Sequence, residues 1–188
     1  MDPLDAIAAA SSTFVDVLDQ VHTDQLARPT PCADWDVQGL LDHVVVGSRM
    51  AVALLDGASQ EEANAFRGQT FGDEVVDRCR EAVAGQLDRV LVVSDWDVVV
   101  HHTVGDVPAS RLLEFRTDDL TLHSWDLASA LGVDVEIADD LLEAVFAHLE
   151  PMTPFIGEIG VYGSGPSGSV AADAPLQVRL LDLSGRRP

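Results

Sequence analysis

Asp119 and His123 stand four residues apart in the run DDLTLHSWDLASALG (118–132), and Asp126 follows three residues later. On a helix of about 3.6 residues per turn, the wheel puts His123 about 40 degrees to one side of Asp119 and Asp126 about 20 degrees to the other. Leu112 and Ala130 continue this stripe, Phe115 and Leu122 flank it on one side, and Leu120 and Leu127 on the other. Three ionisable groups thus occupy the middle of an apolar arc, where a core-facing helix carries Leu or Ala. Buried without partners they would cost several kcal/mol, so something must satisfy them.

A second helix supplies a third group. His43 shares a face with Leu40, Gly47, Met50, Ala51 and Leu54, and Gly47 leaves room beside its imidazole. Two imidazole nitrogens and one carboxylate oxygen suit Zn²⁺ with positions left open for water or substrate, and Ni, Fe or Mn accept the same donors. Asp126 could orient His123 from behind, or bond elsewhere in the bundle. The alternative is a polar network without an ion, because inward histidines are commonly satisfied core residues and an Asp–His pair can simply hydrogen-bond.

Other reactive types read more plainly. His101 and His102 are adjacent, so on an extended strand they face opposite ways, and at least one belongs at the surface. His22 and His148 are expected exposed or half-buried. Arg116 falls on the arc of Asp119 and should pair with Asp119 or Glu114. Cys32, Trp35, Trp96 and Trp125 are expected to pack rather than to react. Cys32 and Cys79 lack CxxC spacing and should be free thiols.

The elements that must position these groups are mostly helical. Apolar periodicity predicts helices over 4–21, about 35–56 (capped by Asp34 or Asp36 and ended by Gly57), about 73–92, and about 109–131, stopped by Gly132. A fifth, shorter helix, IADDLLEAVFAHLEP, ends at Pro151, and LQVRLLDL forms a last one. Residues 57–72 read as a loop, WDVVVHHTVGDVP as a short hairpin or extended link, and 152–176, rich in Gly, Pro and Ser, as irregular. The fold class is therefore all-α: a four-helix bundle over 1–150 and a tail over 151–188 packed on it.

Composition narrows the function classes. Eleven basic residues, all arginine, oppose 32 acidic ones, for a formal net charge of -21. With no lysine, Schiff-base chemistry and a P-loop lysine are excluded. The charge argues against nucleic acid and anionic lipid as partners. No uninterrupted apolar run approaches the roughly 20 residues of a membrane span, and the acidic start (MDPLDAIAAASSTF) is unlike a secretory signal, so a cytoplasmic address is expected.

The runs RPTPCADWDVQGLLDHVVVG (28–47) and DDLTLHSWDLASALG (118–132) together resemble the two signatures of the actinobacterial mycothiol-dependent maleylpyruvate isomerase-like metal-binding domain, part of the DinB-like, thiol S-transferase superfamily. The closing RLLDLSGRRP resembles the end of a single-domain subfamily. The resemblance implies a DinB-like four-helix bundle and, by position, His43, Asp119 and His123 as metal ligands. It further implies a metal-dependent transferase or isomerase using a small thiol such as mycothiol and an electrophilic substrate. The alternatives are a thiol-independent, metal-assisted hydrolase and a non-enzymatic metal- or small-ligand-binding bundle; a homodimer is compatible with either class.

Overall fold

Prolines and acidic caps set the first helices. The computed structural model describes residues 1–159 and 164–187. Helix α1, Pro3–Leu18, has proline in its first turn, and the Asp2 carboxylate accepts the Leu4 amide at 2.9 Å. Such caps satisfy amides that no preceding turn can reach. Asp36 does the same for α2, Val37–Leu55, accepting Gly39 N–H at 2.8 Å. Gly57 then turns the chain at φ 91°, a region that disfavours side chains.

The expected loop 57–72 contains a short helix, α3, Gln60–Asn64. Its cause is local: Ser59 and Glu62 form a reciprocal capping box. Helix α4, Val75–Leu91, leads to an antiparallel hairpin of β1, Val99–His102, and β2, Gly105–Pro108. Helix α5, Ala109–Leu131, ends on Gly132 at φ 74°. Helix α6, Asp139–Leu149, follows. The stretch expected to be irregular from 152 holds a single turn, α7, Ile156–Ile159; residues 160–163 of it lie outside those described. Helix α8, Leu176–Leu183, matches the last expected helix.

Helices α1, α2, α4 and α5 form the bundle. α1 packs on α5, α2 on α4, and α1–α4 and α2–α5 close the ring. α6 lies against α5 and α1 and carries α8 on its flank. Ile7, Phe14, Leu18, Leu40, Leu41, Leu120, Leu127, Leu141 and Leu149 are fully buried, each stabilising by about 1.5–3 kcal/mol before entropy. Leu180, Leu181 and Leu183 of α8 join the same core.

Two helices are buried on more than one side. α2 is long and apolar enough, by length and composition, to cross a membrane, and more than half of that stretch is buried in the bundle. α5 buries polar residues too, because Thr117, Thr121 and Ser124 turn their hydroxyls onto carbonyls four residues back, at 2.7–2.9 Å. A hydroxyl satisfied within its own helix can be buried without an outside partner.

Candidate functional site

His43, near the start of α2, meets Asp119 and His123, in the middle of α5. His43 Nε2 lies 3.0 Å from Asp119 Oδ1, and His123 Nε2 lies 3.4 Å from the same oxygen. The imidazoles stand edge to face, with centroids 5.0 Å apart. One donor atom from each residue lies within 4.8 Å of the other two. The three side chains that the wheel and the motif single out are thus brought together.

Each is held from behind. Asp126, fully buried, faces His123 Nδ1 at 2.9 Å; the carboxylate accepts that ring proton and so turns Nε2 toward Asp119. Arg186, from the tail, grips Asp126 through both oxygens: Nε donates to Oδ1 at 2.8 Å and Nη2 to Oδ2. The Cys32 thiol donates to Asp126 Oδ2 at 3.3 Å. Trp35 stacks on His43 with centroids 4.5 Å apart.

Asp119 divides its oxygens. Oδ1 faces both imidazoles, and Oδ2 accepts from Arg116 Nη1 at 2.9 Å. The Arg116 guanidinium also donates to Gln86 Oε1 at 2.7 Å and Ser48 Oγ at 3.3 Å. It sits on Gly47, where an added Cβ would lie 2.4 Å from Nη1. Gly47 was expected to make room for His43. The room it makes is taken by Arg116, which reaches across from α5.

The electrostatics follow from this packing. Burial works to raise the Asp119 carboxyl, but His43, Arg116 and His123 together hold it well below the usual range. Burial works to lower His123, and the carboxylates of Asp119 and Asp126 lift it well above an ordinary imidazole. Asp126, against the same burial penalty, is held down to about 2 by His123 and Arg186. Cys32, His123 and Asp126 also lie close enough to hold a cation, but Arg186 already supplies that charge.

The cluster forms part of the wall of a cavity of about 730 Å³. Val46, Met50, Leu112, Phe115 and Leu122 line it from α2 and α5. Asp119 and His43 keep 21% and 34% of their side-chain surface exposed, so the donors open onto this space.

Several neighbours of the cluster escaped sequence reasoning. Trp35, expected only to pack, lines the cavity and covers His43. Arg186 stands in the closing run that the sequence singled out, but its pairing with Asp126, 60 positions away, left no sign there. His101 and His102 do face opposite ways: His101 pairs with Asp106 at 2.8 Å on the exposed side, and His102 lines the cavity, 5.4 Å from the Phe115 ring. His148 is half-buried and bonds buried Asp118 at 2.9 Å, away from the site. Both cysteines are free.

Residues 5–128 match the profile of the family described as mycothiol maleylpyruvate isomerase N-terminal domain. Uncharacterised proteins from two strains of Mycobacterium tuberculosis are 30% identical over 155 residues, covering 80% of this chain and 81% of theirs. The crystal structure of the mycothiol-dependent maleylpyruvate isomerase superposes with a TM-score of 0.65 at 19% identity, covering 84% of this chain and 71% of that one. A histidine-to-alanine variant of that enzyme superposes equally well. At this identity the structural match speaks for the fold.

Proposed function

The chain belongs to the mycothiol maleylpyruvate isomerase N-terminal domain family, and from that premise we propose that His43, Asp119 and His123 hold one divalent metal ion and that the protein joins a low-molecular-weight thiol, mycothiol foremost, to a small electrophile. The observation that carries this reading is the convergence of two Nε2 atoms and one carboxylate oxygen on the wall of an open cavity.

The donor set fits such an ion. Ligands about 2.0–2.1 Å from a tetrahedral zinc lie about 3.3 Å from one another, and the donor separations from Asp119 Oδ1 are 3.0 and 3.4 Å. Nickel, iron and manganese suit the same nitrogens and oxygen. A bound divalent ion lowers the pKa of a thiol that reaches it, supplying thiolate at neutral pH.

The chain's own residues do the rest. Asp126 fixes the ring of His123, and Arg186 keeps Asp126 ionised. Arg116 occupies Asp119 Oδ2, leaving Oδ1 for the shared centre. A purely structural ion would be enclosed by protein donors; these three open onto space large enough for organic reactants, which favours chemistry over storage.

Elemental analysis of protein purified without an affinity tag tests the ion, and consumption of mycothiol with an electrophile tests the reaction. We expect about one zinc-class ion per chain in the wild type, none in His43→Ala, and thiol consumption only in the loaded wild type. Equal metal content in both proteins would overturn the ligand assignment. Loaded wild-type protein that consumes no thiol with any electrophile would overturn the transferase reading.

A further inference from the structure

On α2 and α5 the cavity wall beyond the three donors is largely apolar, and among the described residues three of the four arginines lining the cavity are paired with carboxylates. Val46, Met50, Ala51, Leu112, Phe115 and Leu122 supply that wall. Of the arginines among the described residues that line the cavity, Arg116 pairs with Asp119, Arg111 with Glu114, and Arg186 with Asp126. The fourth, Arg67, is exposed and donates to two neutral groups, Asn64 Oδ1 at 3.0 Å and Thr103 Oγ1 at 2.9 Å. The other polar lining groups on its segment, Gln69 and Thr70, are exposed as well.

A carboxylate seated against the apolar wall, away from the three donors, would lose its hydration beside two α5 arginines, Arg111 and Arg116, that already hold carboxylates. An uncharged aryl or alkyl group would gain by burial, and Phe115 offers it a ring. The Arg111 guanidinium lies 5.0 Å from that ring's centroid, and the His102 imidazole is tilted against it at 5.4 Å.

Resting on the thiol-transfer reading above, we propose that the electrophile is uncharged and carries an apolar body of about aryl size, with Phe115, Leu112 and Met50 as the residues that select it. The exposed polar mouth at 67–70 and Thr103 then faces the hydroxyl-rich part of the thiol. For an enone the chemistry balances without an oxidant. The sulfur–carbon bond forms, the C=C π pair moves to the neighbouring carbon, and that carbon takes the proton the thiol gave up.

The test separates substrate class from catalysis. An aryl ketone that cannot react and the same ketone bearing a ring carboxylate are titrated by calorimetry into the metal-loaded full chain, without thiol. The matching enones are then compared in the mycothiol reaction. We expect the uncharged ketone to bind about tenfold more tightly or better. Phe115→Ala should weaken it by a similar factor, and Phe115→Arg, which adds an unpaired cation, should reverse the preference. Equal or tighter binding of the carboxylate by the wild type would overturn the proposal. The binding order needs no turnover, so failure of the transferase reading appears separately, as bound ketone with no thiol consumed.

Discussion

The Arg116 guanidinium lies where a side chain on Gly47 would begin, with Nη1 only 2.4 Å from the position of an added Cβ. The same nitrogen holds Asp119 Oδ2 at 2.9 Å. Gly47→Ala should therefore push Arg116 off its seat and release Asp119. The affinity for Zn²⁺, measured by competition with a chelating dye, should drop about ten- to a hundredfold, as for the loss of other outer-sphere partners. Unchanged affinity would show that Arg116 does not position Asp119.

Arg186 and Asp126 are coupled across the fold. Arg186→Ala would leave a fully buried carboxylate with only His123 and Cys32 beside it. Removing one partner of a buried pair costs about 3 kcal/mol or more. Urea denaturation should register a loss of that order, and Arg186→Lys, which keeps the charge but not the two-pronged grip, should fall between. A stability change below about 1 kcal/mol, the size of an exposed pair, would contradict the tie.

The same carboxyl sets an acid limit. Asp126 is held at about 2 in the native protein, below the ordinary aspartate value of 3.8, so folding favours its ionised form. The stability this contributes, about 2 kcal/mol, is complete above about pH 4 and is lost as pH falls toward about 2. Metal-stripped wild type should lose stability steeply across that window, and Asp126→Asn less so. Parallel pH profiles for the two proteins would refute this.

The two thiols should differ sharply. Burial, opposed only weakly by Arg116 and Arg80, pushes the Cys79 thiol far above its ordinary range, whereas Cys32 is half-buried. Alkylation of native protein near pH 8 should modify Cys32 alone, with Cys79 reacting only after denaturation. Peptide mapping that finds Cys79 modified first would reverse the assignment.

The long helices were legible because burial imposes a 3.6-residue rhythm, and α5 was read to its ends between Pro108 and Gly132. α3 was missed although Ser59 and Glu62 spell a capping box; five residues with one apolar position, Ala63, carry no periodicity. Juxtaposition of His43 with Asp119 and His123 could be inferred because each is a polar residue out of place on an apolar face. Arg116 betrayed its pairing with Asp119 by spacing, but not its seat on Gly47, which only the α2–α5 approach creates. Arg186 and Trp35 were invisible for a like reason. Both stand in runs that carry the family resemblance, but their partners lie on other elements and no spacing names them.

Trp35 lies flat against His43 and 5.8 Å from His123. An indole so placed responds to the charge of the rings it touches. The protein therefore carries its own optical gauge: emission should shift as the imidazoles gain or lose a cation, with no dye or label added. Trp96 and Trp125 contribute a background that Trp35→Phe isolates, so the filling of the centre can be timed by stopped-flow from light the molecule already emits.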